Sequence, residues 1–152
     1  MAAFRGNHTA KIDEAGRLKL PGPFKDLLDE AGVNQFYITS ENGVSAQIWP
    51  LPEWEKQEAL MAGYAMTPAV DRYLNLTSYY GQQVRMDTQA RVVLPQILRT
   101  SGKLDAEVTV RGKMQYLEVD NLKRIEAEVA GNQLTQEDRM TLASIFQRRA
   151  DN

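Results

Sequence analysis

The chain has 152 residues, 43% hydrophobic and 25% charged, with a net charge of −2, a balance that supplies a core and excludes a wholly disordered chain. It holds no cysteine and one histidine, His8, which excludes disulfides, thiol chemistry and cysteine metal sites and argues against histidine-based metal or acid–base centres. No apolar run approaches the roughly 20 residues of a membrane span, and the opening residues lack the apolar core of a signal peptide, so a soluble cytoplasmic protein with no cofactor, no metal and no small-molecule substrate is expected.

Along the chain, a short strand leads into Asp13, a turn reaches Arg17, and a second strand leads out to Leu20-Pro21. Asp bonds nearby backbone amides and suits a turn corner, while proline suits the first turn of a helix. Phe24, Leu27, Leu28 and Ala31 then fall at helical spacing and Gly32 closes the helix. A hairpin follows, with strands Phe36–Ser40 and Val44–Trp49 about Glu41-Asn42-Gly43, since Asn-Gly favours tight hairpins. A helix starts near Pro52, and Gly63 marks a connector. Thr67-Pro68 opens an amphipathic helix carrying Val70, Tyr73, Leu74, Thr77 and Tyr80 on one side, ended by Gly81.

The pattern then repeats. Residues 10–24 align with 84–98 at an offset of 74, with Asp13/Asp87, Arg17/Arg91, Leu20/Leu94 and Pro21/Pro95 identical. Lys11/Arg85, Ile12/Met86, Leu18/Val92 and Phe24/Leu98 keep their chemistry. A shorter helix around Ile97 and Leu98 stops at Gly102; strands Val108–Arg111 and Met114–Val119 flank a Gly112-Lys113 turn, and a helix with Leu122, Ile125 and Val129 on one face follows Asn121. After a connector at Gly131–Leu134, the tail helix opens on Thr135 with Asp138 three residues on, carries Leu142, Ile145 and Phe146, and ends in Arg148 and Arg149, which complement the helix dipole.

Charge is segregated on the same repeat. Residues 1–25 hold Arg5, Lys11, Arg17, Lys19 and Lys25 against Asp13 and Glu14; residues 84–103 hold Arg85, Arg91, Arg99 and Lys103 against Asp87. Two basic stretches inside an acidic chain point to phosphate, because binding responds to local potential. One repeat unit is too small to bury both faces of its strands, so the two units are expected to complete each other as an intramolecular pseudo-dimer.

Phe4-Arg5-Gly6, the Asp13–Pro21 stretch, the Trp49-Pro50-Leu51-Pro52-Glu53-Trp54-Glu55 segment and the Asp87–Pro95 stretch together resemble the MraZ family of bacterial regulators, in order from Phe4 to about Val129. The resemblance implies an α+β fold of two tandem SpoVT/AbrB-like swapped-hairpin β units that form a pseudo-dimer barrel with peripheral helices. The expected organisation is a first unit over residues 4–55, connecting helices over 56–81, a second unit over 82–126 and a helical tail over 127–152. It also implies a nucleoid-associated transcriptional repressor of the division and cell-wall gene cluster, binding repeated upstream boxes on double-stranded DNA as a homo-oligomeric ring. DNA-facing residues carried over are Arg5, Lys11, Asp13, Arg17 and Lys19 of the first motif, and Arg85, Asp87 and Arg91 of the second. The family usually has Lys-Gly or Gln-Gly before each motif arginine. Here the pairs are Ala15-Gly16 and Gln89-Ala90, so the second loop, lacking glycine, is expected to adopt another turn shape.

Each residue also has a plainer role. Arg17 contacts DNA or closes the turn with Asp13, and for Arg91 and Asp87 the scaffold role leads. Lys11, Arg85 and Arg5 are equally readable as solvated charge. His8 reads as an ordinary strand residue, and Trp49, Trp54, Tyr79 and Tyr80 as packing residues. Two other function classes stand beside DNA binding. One is an oligomeric protein-interaction module of antitoxin type. The other is an enzyme using Asp13 or Asp87 as acid or base; no histidine partner, phosphate loop or metal spacing supports it, so no catalytic residue is assigned.

Overall fold

The computed structural model describes residues 1–149; the last three residues of the expected tail unit lie outside the described residues. The chain divides into two compact units, Met1–Leu122 and Lys123–Asn152. The first holds eight strands: β1 (Asn7–Lys11), β2 (Arg17–Lys19), β3 (Gln35–Thr39), β4 (Ala46–Pro50), β5 (Gln82–Arg85), β6 (Arg91–Val93), β7 (Glu107–Gly112) and β8 (Leu117–Asn121). Between them run helices α1 (Gly22–Ala31), α2 (Leu51–Ala62), α3 (Pro68–Tyr79) and α4 (Gln96–Ser101). The fold is mixed α+β, as expected.

Each half keeps one hairpin of its own, β3–β4 and β7–β8, and every other ladder pairs strands across the repeat. A six-stranded antiparallel sheet runs β1-β7-β8-β4-β3-β5, and a separate two-stranded ribbon joins β2 to β6. The first strand of each half therefore pairs with the third strand of the other, with Thr9 opposite Thr109 in one ladder and Tyr37 opposite Gln83 in its counterpart. The registers share a pseudo-two-fold axis, because Leu18 faces Val92 at the centre of the ribbon and Gln47 faces Glu118 at the centre of the β4–β8 ladder. β1 and β5 end the sheet order, so among the described residues the sheet is open and forms no closed barrel. The barrel expectation treats the eight strands as one surface, whereas three-residue β2 and β6 form a ladder only with each other, with one isolated bridge from Leu18 to Ile12.

The core fills the space the two halves enclose together. Phe36, Ile38, Ala46, Ile48, Val108, Val110, Leu117 and Val119 from the large sheet cluster with Leu18, Leu20, Val92 and Leu94 from the ribbon and with Phe24, Leu28 and Leu98 from α1 and α4. His8 meets Phe24 edge to face at 5.1 Å. On the other face of the sheet, Trp49 and Trp54 are buried, joined to each other and to Tyr37, Tyr116 and Tyr73 by ring contacts of 4.6–6.4 Å. Burial raises the Tyr73 phenol to about 12, with the Glu41 charge adding to it.

Several local expectations change. Pro21 and Pro95 sit at the N-caps of α1 and α4, one position before the first helical residue. The Asn42-Gly43 corner is a wider loop, in which Ser40 Oγ accepts from the Gly43 N–H and Asn42 Oδ1 accepts from those of Val44 and Ser45. β4 thus begins at Ala46. The loop is drawn in from the second half, since the Gly43 carbonyl accepts from Ser101 Oγ at 2.6 Å. The second hairpin turns later than expected, over residues 113–116, with Met114 at φ 66°. Tyr80 packs against the core but Tyr79 is exposed.

The second unit takes up most of α5 (Leu122–Gly131) and all of α6 (Gln136–Gln147). Thr135 and Asp138 form the expected reciprocal capping box. Its apolar residues Met140, Ile145 and Phe146 are exposed.

Leu18 is fully buried at the ribbon's centre, so Leu18→Ala should lower the unfolding free energy by about 2–5 kcal/mol. Glu30→Ala, at an exposed position on α1, should change it by less than about 0.5 kcal/mol. Urea midpoints at one protein concentration compare the two.

Candidate nucleic-acid interface

Both Asp-x-x-x-Arg turns are built by the same bonds. Asp13 Oδ1 accepts from the backbone N–H groups of Ala15 and Arg17 at 3.0 and 2.9 Å, and Oδ2 accepts from Arg17 Nε at 2.8 Å. Asp87 does the same toward Gln89 and Arg91 at 2.8, 2.9 and 2.8 Å. The second turn therefore does not take the different shape that its missing glycine predicts. Ala90 adopts φ 60° where Gly16 has φ 80°, and it is buried. A left-handed alanine costs about 1–2 kcal/mol, and here the backbone bonds around it offset that. The Ala90 N–H donates to the Asp87 carbonyl, and the Ala90 carbonyl accepts from the Leu20 N–H at 2.9 Å. Reciprocally, the Gly16 carbonyl accepts from the Leu94 N–H at 2.9 Å, so each turn is sewn to the other half's Leu-Pro segment.

The ribbon between the turns presents cations. Leu18 and Val92 point into the core, so Arg17 and Lys19 on β2 and Arg91 and Val93 on β6 share the opposite face. Arg17 lies across from Val93, and Lys19 across from Arg91. Each motif arginine spends only Nε on its aspartate, leaving both Nη groups without a protein partner among the described residues. The Arg17 side chain is 40% exposed and that of Arg91 26%. A guanidinium held edge-on by a carboxylate, with its outer donors unspent, can make forked bonds to phosphate or to a guanine edge.

The other candidate residues divide. Lys11 and Lys19 line one shallow surface hollow with His8, Thr9, Ala10, Leu20, Pro21 and Gly22, so the structure brings Lys11 to the ribbon. Lys11 faces Glu107 across the β1–β7 ladder. Arg85 holds the equivalent place on β5, exposed and opposite Gln35. Arg5 is exposed beyond the far end of β1, where its backbone packs on Gly112. Lys11 pairs with Glu107 at one end of the β1–β7 ladder and Arg5 lies past the other, so Arg5 is not gathered with Lys11 at the ribbon.

Sequence reasoning counted Arg99 in the second basic stretch but gave it no place at the site. Its Nε donates to the Leu94 carbonyl at 3.1 Å, and its guanidinium lies so close beneath the first turn that a Cβ on Gly16 would stand 2.5 Å from Arg99 Cζ. The helical position of Arg99 in α4, five residues beyond Leu94, is the only sequence signal for this contact, and it is weak. No group of three or more potential metal-ligating side chains occurs among the described residues, and no described helix is long and apolar enough to cross a membrane.

The fold and the site define a tandem-repeat α+β protein whose two halves interlock to display a cationic β-ribbon between paired Asp–Arg turns. Residues 81–149 match the profile of a family described as "MraZ protein, putative antitoxin-like". A protein of Acidobacterium capsulatum named Transcriptional regulator MraZ is 48% identical over 141 residues, covering 92% of this chain and 97% of the relative. Relatives of the same name from Koribacter versatilis and Thiobacillus denitrificans are 42% and 33% identical, covering 93% and 84% of this chain and 98% and 86% of their own. The chain belongs to the MraZ family.

The backbone N–H of Arg17 above all, then its guanidinium and the Ala15 N–H, hold the Asp13 carboxyl below its ordinary 3.8 against a smaller opposing effect of desolvation. Asp87 is lowered in the same way by Arg91. A carboxyl lowered in the folded state stabilises fully above its unfolded value and stops doing so as the pH falls through the folded value. The turns therefore stay anchored at neutral pH and loosen only in acid below about pH 3.8. In an Arg17→Met variant the Asp13 carboxyl should titrate higher but still below 3.8, because the backbone donors remain, while Asp87 stays put; carboxyl carbon NMR against pH measures both. Gly16→Ala should destabilise by about 1–2 kcal/mol through its left-handed backbone and the displaced Arg99. Ala90→Gly should stay within about 1 kcal/mol, since relieved strain offsets a lost buried methyl; chemical denaturation distinguishes the two.

Proposed function

We propose that this protein is a DNA-binding transcriptional regulator that docks the β2–β6 ribbon on double-stranded DNA. The observation that carries the reading is the pair of Asp-anchored arginines, Arg17 and Arg91, with their outer Nη groups unspent on one exposed face beside Lys19. Lys11 and Arg85 at the ends of the flanking strands add phosphate contacts, Asp13 and Asp87 orient their arginines, and Arg5 reaches a more distant phosphate. The relatives' name, Transcriptional regulator MraZ, supports the regulatory role. In this reading the interlocked halves are a swapped-hairpin pseudo-dimer of the AbrB type.

The same reading makes the protein a nucleoid-associated, non-enzymatic repressor of the division and cell-wall gene cluster, binding repeated upstream boxes as a closed ring. That part rests on the family resemblance. Exposed apolar side chains at Leu60, Tyr64 and Met66 of the first unit, and separately at Met140, Ile145 and Phe146 of the second, support assembly with further copies. The description of the matched family as antitoxin-like favours one competing reading, a protein-interaction module. A toxin gene beside this one would favour that module; a division cluster downstream would favour the repressor.

Binding to the chain's own upstream DNA, measured at several salt concentrations, tests the reading. Arg17→Ala should weaken specific binding by about 1–3 kcal/mol, with circular dichroism and assembly mass unchanged. Lys11→Ala should reduce the salt slope by about one. An Arg17→Ala protein that folds, assembles and binds as before would overturn the assigned role. Native mass spectrometry should give a particle several times the 17.2 kDa chain.

A further inference from the structure

The two edges of the ribbon are related by the fold but not by chemistry. The pseudo-two-fold at Leu18 and Val92 exchanges Arg17 with Arg91 and Lys19 with Val93. Three of the four outward corners are cations. The fourth is an isopropyl group, 46% exposed, set directly across from Arg17. An exposed valine alone would mean nothing. This one stands where the other half has lysine, on a face otherwise given to charge, and it is absent from the core cluster that holds its neighbours Val92 and Leu94.

A two-stranded ribbon fits the major groove of B-DNA, about 12 Å wide. With identical corners the ribbon face itself would give no preference between the two directions along a duplex. Lysine at one corner and valine at the other remove that equivalence. Among the groups on the groove floor, the thymine C5-methyl is the one an isopropyl can pack on, while phosphates and guanine edges suit the cationic corners. We infer that Val93 is a specificity-determining residue: it packs on a thymine methyl and so fixes which way round the ribbon lies on its DNA site. The inference rests on the DNA-binding reading above and adds to it a base and a direction.

The chain has no cysteine, so one introduced thiol gives a unique attachment point. Glu14→Cys and Thr88→Cys place it at equivalent exposed positions of the first and second turns. Each variant, carrying a tethered iron chelate that cuts nearby DNA, is bound to a duplex selected from a random pool on the unaltered protein. The two should cut opposite flanks of each bound element, one flank apiece. With Val93→Lys added, each should cut both flanks. Separately, replacing each thymine in turn by uracil should weaken the unaltered protein about fourfold at one position, the worth of one buried methyl, and should not weaken Val93→Ala there. Circular dichroism verifies that the Val93 variants fold. Two-flank cutting by the Val93-containing proteins, or equal uracil sensitivity with and without Val93, overturns the inference while leaving DNA binding intact. Failure to bind any duplex at low salt overturns the DNA-binding reading and the inference together.

Discussion

The structure depends on one short piece of pairing, three residues of β2 against three of β6. Neither strand has another partner in a ladder, and each continues from a turn whose carbonyl accepts from the opposite half: Gly16 from Leu94, and Ala90 from Leu20. Strands so short cannot bury both faces alone. Paired, they place Leu18, Leu20, Val92 and Leu94 in one core and leave their other face to solvent. The same reciprocity extends through the large sheet, where β1 reaches β7 and β5 reaches β3. The two halves are therefore one folding unit in two copies, since each supplies the ladder partners the other lacks.

That arrangement explains why the turns are so similar when their sequences are not. The backbone path of each turn is set at three points: by its aspartate, by the arginine it holds, and by the opposite Leu-Pro segment. Ala90 takes a left-handed conformation because all three demand it and because its methyl is enclosed. Glycine at position 16 has a further reason to be there, since the Arg99 guanidinium occupies the space a side chain would need. Near-equal geometry is thus reached from unequal residues.

The electrostatics follow from the same construction. A chain with a net charge of −2 gathers Arg17, Arg91 and Lys19 onto one small face, with Lys11 beside Lys19. The aspartates do not neutralise this face so much as orient it. They spend one donor of each guanidinium and leave the fork outward. Matching the MraZ family over most of its length gives this geometry a regulatory context.

The sequence alone determined whatever depends on neighbours along the chain. The repeat, the two aspartate corners, the Gly32-capped helix, the amphipathic α3 and the Thr135–Asp138 capping box are legible because a turn or a helix satisfies its hydrogen bonds within a few residues. Lys11, Asp13, Arg17, Lys19, Arg85, Asp87 and Arg91 could be selected as candidates for the same reason, as charges clustered about one local motif. The tertiary structure alone decided which strands pair across the repeat and that the sheet stays open. It also decided that Arg5 and Lys11 lie at opposite ends of the β1–β7 ladder, that Ala90 takes the backbone conformation of a glycine and Arg99 props the first turn, and that Val93 faces out beside Arg17. Each of these depends on contact between residues 44 or more positions apart or on the path of a whole strand, and no local rule of hydrogen bonding or periodicity carries that information.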